Sequence, residues 1–390
     1  MSADRIAKVE AWPVNVPLVA PYLFALGTYR GMSRTIIRVT TGDGVIGLGE
    51  TSSTDDVELL GSYGASLVGR PVSALKFELS SPGLINATNH GQHNAGLARW
   101  RAAVEIALWD IEGHTKGVPV HALLGDQVRA TFPVTEYFAY RLPGVIDKGE
   151  ATAGEMADYC SRMIEEHGAQ GFEGKVATMP VEQELRMLRA VRRAIGDTRE
   201  LRVDANLGWH LDTALRVLPQ LAELGVTNIE EPVGAIADAA TLRRSTSIEF
   251  SGHEPDFDSH RRYGGVPDTF VLSVASCGGI SGTLATIERC QEAGIGFWFY
   301  SGELGVATAA SLQVSAVAGY VSKSSQSLLR WYPDDVIEGG PFAVGNGVVA
   351  IPSTPGLGIS LDEDGLKRGV ERFADEGEYV MYDAPSLPRY

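Results

Sequence analysis

Cysteine is scarce, with only Cys160, Cys277 and Cys290 in 390 residues. An odd, widely spaced set with no C-x-x-C pair excludes a disulfide framework and a cysteine zinc site, and a reducing cytoplasm is the expected setting. Basic charge is also short: 33 Lys and Arg against 49 Asp and Glu leave a formal net charge of −16. No Lys/Arg-rich run exists to follow a phosphate backbone, so no nucleic-acid partner is expected. Long apolar runs are missing as well. No stretch reaches the roughly 18 apolar residues of a membrane span, and the start, MSADRIAKVEAWPVNVPLV, shows no apolar core followed by a small-residue cleavage site. Neither a membrane span nor a signal peptide is expected. Hydrophobic residues at 44% and charged residues at 21% match soluble globular chains. The length exceeds the usual ~100–200 residues per domain, so two domains around at least one large core are expected.

Residues 6 to 50 hold short β-rich runs, among them Arg34-Thr-Ile-Ile-Arg-Val-Thr and Val45-Ile-Gly-Leu-Gly, joined by the turn signal Thr41-Gly-Asp-Gly, which reads as an antiparallel meander. Ala98 to His114 is helical in pattern, with Val104, Ala107, Leu108 and Ile111 at i, i+3, i+4, i+7 spacing. Residues 1–130 therefore form a small α+β domain. From about residue 131 a short apolar run followed by a longer helical pattern repeats, the signature of βαβ units. Strands are expected to end near Ala139, Lys175, Ala205, Glu231, Gly252, Ser273, Tyr300 and Arg330. Eight such strands over 131–338 point to an α/β fold of the (β/α)8 barrel type. A doubly wound sheet would offer a Gly-rich phosphate loop after its first strand, and none follows Phe132 to Tyr140. Residues 339–390, with Val348-Val-Ala-Ile-Pro and Pro355-Gly-Leu-Gly-Ile, return to short strands and turns and are expected to join the first domain.

Three acidic motifs fall at expected strand ends: Val203-Asp204-Ala-Asn206, Ile229-Glu230-Glu231-Pro232 and Ser251-Gly-His253-Glu254. In a barrel these ends converge on the face where catalytic groups sit. Asp204 and Glu230 are 26 residues apart and Glu230 and Glu254 are 24 apart, each about one βα unit. One such carboxylate alone equally well caps the next helix. Three together repel one another unless a hard divalent cation relieves them, and oxygen donors favour magnesium over zinc. His253 is the alternative third ligand; Glu254 is preferred because a carboxylate matches the other two.

These motifs, with Cys277-Gly-Gly-Ile after the sixth strand, Leu108-Trp-Asp-Ile-Glu-Gly-His, Leu123-Leu-Gly and Pro355-Gly-Leu-Gly, resemble the mandelate racemase and muconate lactonizing branch of the enolase superfamily over nearly the whole chain. The resemblance implies a TIM-like barrel under an N-terminal capping domain completed by the C-terminal segment. It also implies that Asp204, Glu230 and Glu254 hold a magnesium that binds a small carboxylic-acid substrate and stabilises an enediolate. A homo-oligomer is expected from the family and from the frequency of symmetric assemblies.

The family usually presents K-x-K at the end of the second strand, the second lysine acting as base, and the matching stretch here is Gly171-Phe-Glu173-Gly-Lys175-Val. Lys175 is thus the candidate base, with Glu173 where a cationic neighbour would depress its pKa. On the opposite face, where relatives carry a lysine or a His–Asp pair, Ser273 and Tyr300 stand. Tyr300 is a candidate proton or hydrogen-bond donor, or a buried barrel tyrosine. His253 is either an acid or a supporting group, and Glu303 either bonds a substrate carboxylate oxygen or is structural. Specificity in the family comes from loops of the capping domain, here Pro21-Tyr22-Leu-Phe24 to Tyr29 and Thr51-Ser52-Ser53-Thr54. With Asn206 these supply the candidate substrate contacts. One credible base favours a hydroxy-acid or sugar-acid dehydratase over a racemase, epimerase or cycloisomerase. The reading from another class is a barrel that keeps the metal without catalysis. A zinc hydrolase would show several strand-end histidines, and only His253 is so placed.

Overall fold

The structure is a computed structural model describing residues 4–51, 54, 57–80, 95–144 and 146–379, with the side chains of 57–60 and 95–96 outside the description. Three antiparallel strands come first: β1 (Ile6–Phe24), β2 (Gly27–Thr41) and β3 (Ile46–Thr51). The helices α1 (Val57–Leu67), α2 (Val72–Leu79), α3 (Ala95–Lys116) and α4 (His121–Leu124) follow. The apolar stripe of α3, including Val104, Ala107, Leu108 and Ile111, is buried with Ile37 and Val39 of β2. Gly47 and Gly49 of β3 let the helix backbone approach, because a Cβ at either would collide with the carbonyl oxygen of Ala107 or Ala103.

After β4 (Thr131–Pro133), seven parallel strands run in sequence order around the second core: β5 (Glu136–Phe138), β6 (Gly171–Lys175), β7 (Glu200–Asp204), β8 (Asn228–Glu230), β9 (Glu249–Gly252), β10 (Thr269–Leu272) and β11 (Gly296–Phe299). The intervening helices are α5 (Ala153–His167), α6 (Val181–Ile195), α7 (Leu211–Glu223), α8 (Ile236–Arg243), α9 (Phe257–Arg262), α10 (Ile280–Ala293) and α11 (Gly305–Val317). Local signals set their ends. Thr152 and Glu155 form a reciprocal capping box on α5, and Gly168 closes that helix in the left-handed region. Leu185, Leu188, Val191 and Ile195 give α6 a buried stripe.

The first seven expected strand ends each lie within one residue of the observed ones. The eighth differs: Arg330 lies in a 3-10 turn, Leu329–Trp331, and the barrel is closed earlier by an extended piece at Ser325–Gln326. Thr135 N–H donates to the Ser325 carbonyl at 2.9 Å, Ser325 N–H to Pro133 at 3.0 Å and Gln326 N–H to Phe299 at 3.1 Å. The closing segment is too short and too polar to carry the apolar pattern of a strand. Beyond it, β12 (Val344–Gly345) pairs with β13 (Val348–Ala350), which in turn pairs with β4. The final helix α12 (Glu363–Glu376) lies against β1 through Gly369 and Val14, and Tyr379 N–H donates to Ser33 Oγ at 2.7 Å.

Candidate active site

Strand register assembles the site. Lys175, Asp204, Glu230 and Ser251 are partners across β6, β7, β8 and β9, forming one row at the strand ends. Two residues earlier, Tyr137, Glu173, Arg202, Asn228 and Glu249 form the row beneath. Because side chains alternate along a strand, both rows share a face. Lys175, Asp204, Glu230 and Glu173 are all buried.

The upper row is charge-paired. Lys175 Nζ donates to Asp204 Oδ2, Asn206 N–H donates to Asp204 Oδ1 at 2.8 Å, and His253 Nε2 lies 3.0 Å from Glu230 Oε1. His253 Nδ1 is held 2.9 Å from the Val271 carbonyl, which fixes the ring. Gln326 Nε2 reaches in from the closing segment, 2.5 Å from Glu173 Oε1 and 2.6 Å from Glu230 Oε2. Burial raises the pKa of both glutamates; repulsion from Glu230 adds to it at Glu173, and repulsion from Asp204 adds to it at Glu230. Burial favours neutral Lys175, yet the Asp204 charge outweighs it and holds the ammonium form well above the usual lysine range. Likewise burial disfavours charged His253, and the Glu230 carboxylate overcomes that. Below, Arg202 is buried 3.9 Å from Glu173 Oε2 and stacks 4.2 Å from the Trp298 ring centre.

Glu254, the expected third ligand, is exposed and lies two residues past the end of β9. His253, the alternative, faces Glu230.

Among the described residues, no group of three or more His, Cys, Asp or Glu side chains is arranged to hold a metal ion. Two carboxylates do face each other in register, and the Asn206 Oδ1 oxygen is buried without a partner. Magnesium typically takes one or two protein carboxylates and fills its other positions with water and substrate, so Asp204, Glu230 and Asn206 fit it.

Over the barrel mouth lie Tyr22, Phe24 and Tyr29, all buried, with ring centres 5.5 to 6.2 Å apart. The expected loop from Pro21 to Tyr29 is instead a β-hairpin, with Tyr22 paired to Tyr29 and Phe24 to Gly27, because this aromatic stretch continues the β1 and β2 ladder. Leu23 N–H donates to Tyr140 at 2.8 Å and Leu142 N–H to Pro21 at 2.7 Å, tying the hairpin to the barrel. Tyr22 is close enough for the Lys175 charge to act on its hydroxyl. Tyr300 sits edge-on to His253 with ring centres 5.3 Å apart, and burial raises its pKa, making it a poor base. Ser273 accepts from Ser276 N–H at 3.0 Å within its own turn. Glu303 is buried, and Ser311 Oγ donates to its Oε2 at 3.4 Å. Ser52 lies outside the described residues. Sequence reading passed over Gln326, Tyr137 and Arg202; with no recognisable eighth strand, no signal pointed to Gln326.

Comparison with known proteins agrees with this architecture. Residues 6–125 match the family described as mandelate racemase / muconate lactonizing enzyme, N-terminal domain, and residues 155–365 match enolase C-terminal domain-like. The chain is 26% identical to muconate cycloisomerase 1-1 of Acinetobacter lwoffii, across 94% of this chain and 97% of that protein. It is 28% identical to a probable glucarate dehydratase of Streptomyces coelicolor, across 88% of this chain and 86% of that protein. An enolase from Thermobispora bispora, solved with magnesium and formate, superimposes with a TM-score of 0.87 at 25% identity, covering 99% of each chain. Among the described residues no helix is long and apolar enough to cross a membrane. The fold, the register of its strand-end carboxylates and these matches together make the chain a member of the enolase superfamily, in its mandelate racemase and muconate lactonizing branch.

Proposed function

We propose that this chain is a magnesium-dependent dehydratase of hydroxy or sugar acids, with Lys175 removing the proton α to the substrate carboxylate. The carrying observation is the in-register row of Lys175, Asp204 and Glu230, with Ser273 and a high-pKa Tyr300, rather than a second base, directly after β10 and β11. Magnesium held by Asp204, Glu230 and Asn206 would supply positive charge to the substrate carboxylate and draw those oxygens from their nitrogen partners. With Asp204 and Glu230 neutralised in this way, the charge that holds Lys175 as ammonium would be removed; the neutral amine Nζ then takes the α-proton, and the C–H electron pair passes into the enediolate. The β-carbon–oxygen bond then breaks, His253 Nε2 gives its proton to the departing hydroxyl, and the resulting enol becomes a keto acid. Tyr22, Phe24 and Tyr29 exclude water from the reacting face. The relative named as a probable glucarate dehydratase supports this reading.

The test is incubation of magnesium-loaded protein and Lys175→Ala in deuterated water with a library of hydroxy, sugar, amino and unsaturated acids, followed by proton spectra. Keto-acid signals lost by ~10²-fold or more in the variant are expected. Deuterium entering an α-position without net change would indicate a racemase or epimerase, and an undiminished variant would remove Lys175 as the base. Magnesium binding with no exchange anywhere would favour a non-catalytic barrel.

A further inference from the structure

A second polar feature adjoins the reacting centre. A cavity of about 50 Å³ lies between the end of β11, the closing segment and α11, lined in part by Tyr300, Glu303, Ser311, Gln326, Ser327 and Tyr332. Gln326 also donates to Glu173 and Glu230, so cavity and reacting centre share a wall. Glu303 Oε1 and Tyr332 Oη, on residues only 7% and 5% exposed, have no hydrogen-bond partner. Arg34 reaches from β2 and donates through Nη2 to the carbonyl of Gly302 in the cavity wall. Leaving such atoms as Glu303 Oε1 and Tyr332 Oη unpaired costs about 1–3 kcal/mol each, so two on one cavity wall mark a position that a ligand completes.

The charges around the cavity select among ligands. Arg34 Nε lies 3.8 Å from Glu50 Oε1, and Glu50 is further engaged by the N–H groups of Leu304 and Ala307 at 2.7 and 2.9 Å. Asp335 takes the Gly305 N–H at 3.0 Å, leaving its Oδ2 unpartnered. The Arg34 charge is thus already balanced by Glu50. The deeper wall, with Phe132, Phe299 and Leu312, offers nothing to solvate a charge. A hydroxyl both donates and accepts, so it can pair with Tyr332 Oη and Glu303 Oε1 together, whereas a second carboxylate brings a charge that the apolar wall does not solvate.

We infer that this cavity receives the far end of the substrate and is built for an uncharged, hydroxyl-bearing tail, so that the substrate is a monocarboxylic polyhydroxy acid and not a diacid. The inference rests on the proposed α-proton chemistry for its orientation. Its test does not depend on turnover: calorimetric titration of the magnesium-loaded full chain with gluconate and glucarate, and with galactonate and galactarate, pairs differing only at the far carbon. The monoacid of at least one pair is expected to bind at least tenfold tighter than its diacid. Glu303→Leu should erase that preference while leaving the tail-less acid lactate unaffected, and Glu303→Gln, which keeps hydrogen-bonding capacity, should retain most of it. Equal or tighter diacid binding, an unchanged ratio in Glu303→Leu, or binding of neither pair would overturn the inference. Selective monoacid binding without α-proton exchange would leave the cavity assignment standing and remove the reaction.

Discussion

Glu303→Gln is expected to flatten the stability profile of the protein between about pH 5 and about pH 8. Burial and the nearby Glu50 charge push the Glu303 carboxyl from 4.5 up to about 8, with Arg34, Ser273 and Ser311 acting the other way. Between those values the folded state keeps a proton that the unfolded chain has released. Stability from this group is therefore fully present below about 4.5, falls as pH rises, and is gone above about 8. The slope is about 1.4 kcal/mol per pH unit, and the whole span is on the order of 5 kcal/mol. Glutamine keeps an acceptor for Ser311 but does not titrate. Glu173, Glu230 and Asp335 are raised in the same direction, so the variant should retain part of the slope. Urea midpoints measured at several pH values on both proteins would show the difference. Parallel profiles would mean that Glu303 is already ionised in the folded protein, and the burial argument would fail.

Gly208 is a second point of leverage. A Cβ there would lie 2.6 Å from Ala25 Cβ and 2.7 Å from Ala177 Cβ, so Gly208→Ala should lift the aromatic hairpin, raise KM severalfold and cost about 1–3 kcal/mol; an unchanged KM would show that the hairpin does not cover the substrate. Magnesium titrations should separate the acidic candidates, with Glu230→Gln weakening affinity at least tenfold and Glu254→Gln leaving it unchanged; the reverse would restore Glu254 as a ligand. Glu105→Ala strips a buried acceptor from the N–H groups of Ile280 and Ser281, at 2.7 and 3.1 Å, and should lower the urea-derived stability by about 2–4 kcal/mol. Loss of under ~0.5 kcal/mol would mean that water replaces the carboxylate there.

Most of the barrel was legible because each strand from β5 to β11 is a short apolar run with a polar or acidic end, and the spacing of Asp204 and Glu230 follows one βα unit. What failed was geometry finer than spacing. His253 and Glu254 are adjacent just past the end of β9, and spacing alone does not show that His253 is the one beside Glu230. The closing segment carries Ser324, Ser325, Gln326 and Ser327 where an apolar strand was sought, so Gln326, which joins two carboxylates, left no trace in hydrophobic periodicity. The loop expected at 21–29 rests on the family resemblance alone, whereas cross-strand aromatic contacts hold this stretch as a hairpin.

The two attachments of the N-terminal domain are unlike in kind. On the β10 and β11 side Glu105 and Glu50 each sink a carboxylate into the first turn of a barrel helix, α10 and α11. On the β5 side the hairpin is held by backbone bonds to Tyr140 and Leu142 and by the touch of Ala25 on Gly208. Withdrawing either buried carboxylate strands an ion and a helix terminus together, while releasing the hairpin frees backbone groups that water can satisfy and exposes its buried aromatic rings. One edge of the domain is therefore riveted to the barrel by charge sunk at helix starts, and the other is glued to it by aromatic surface.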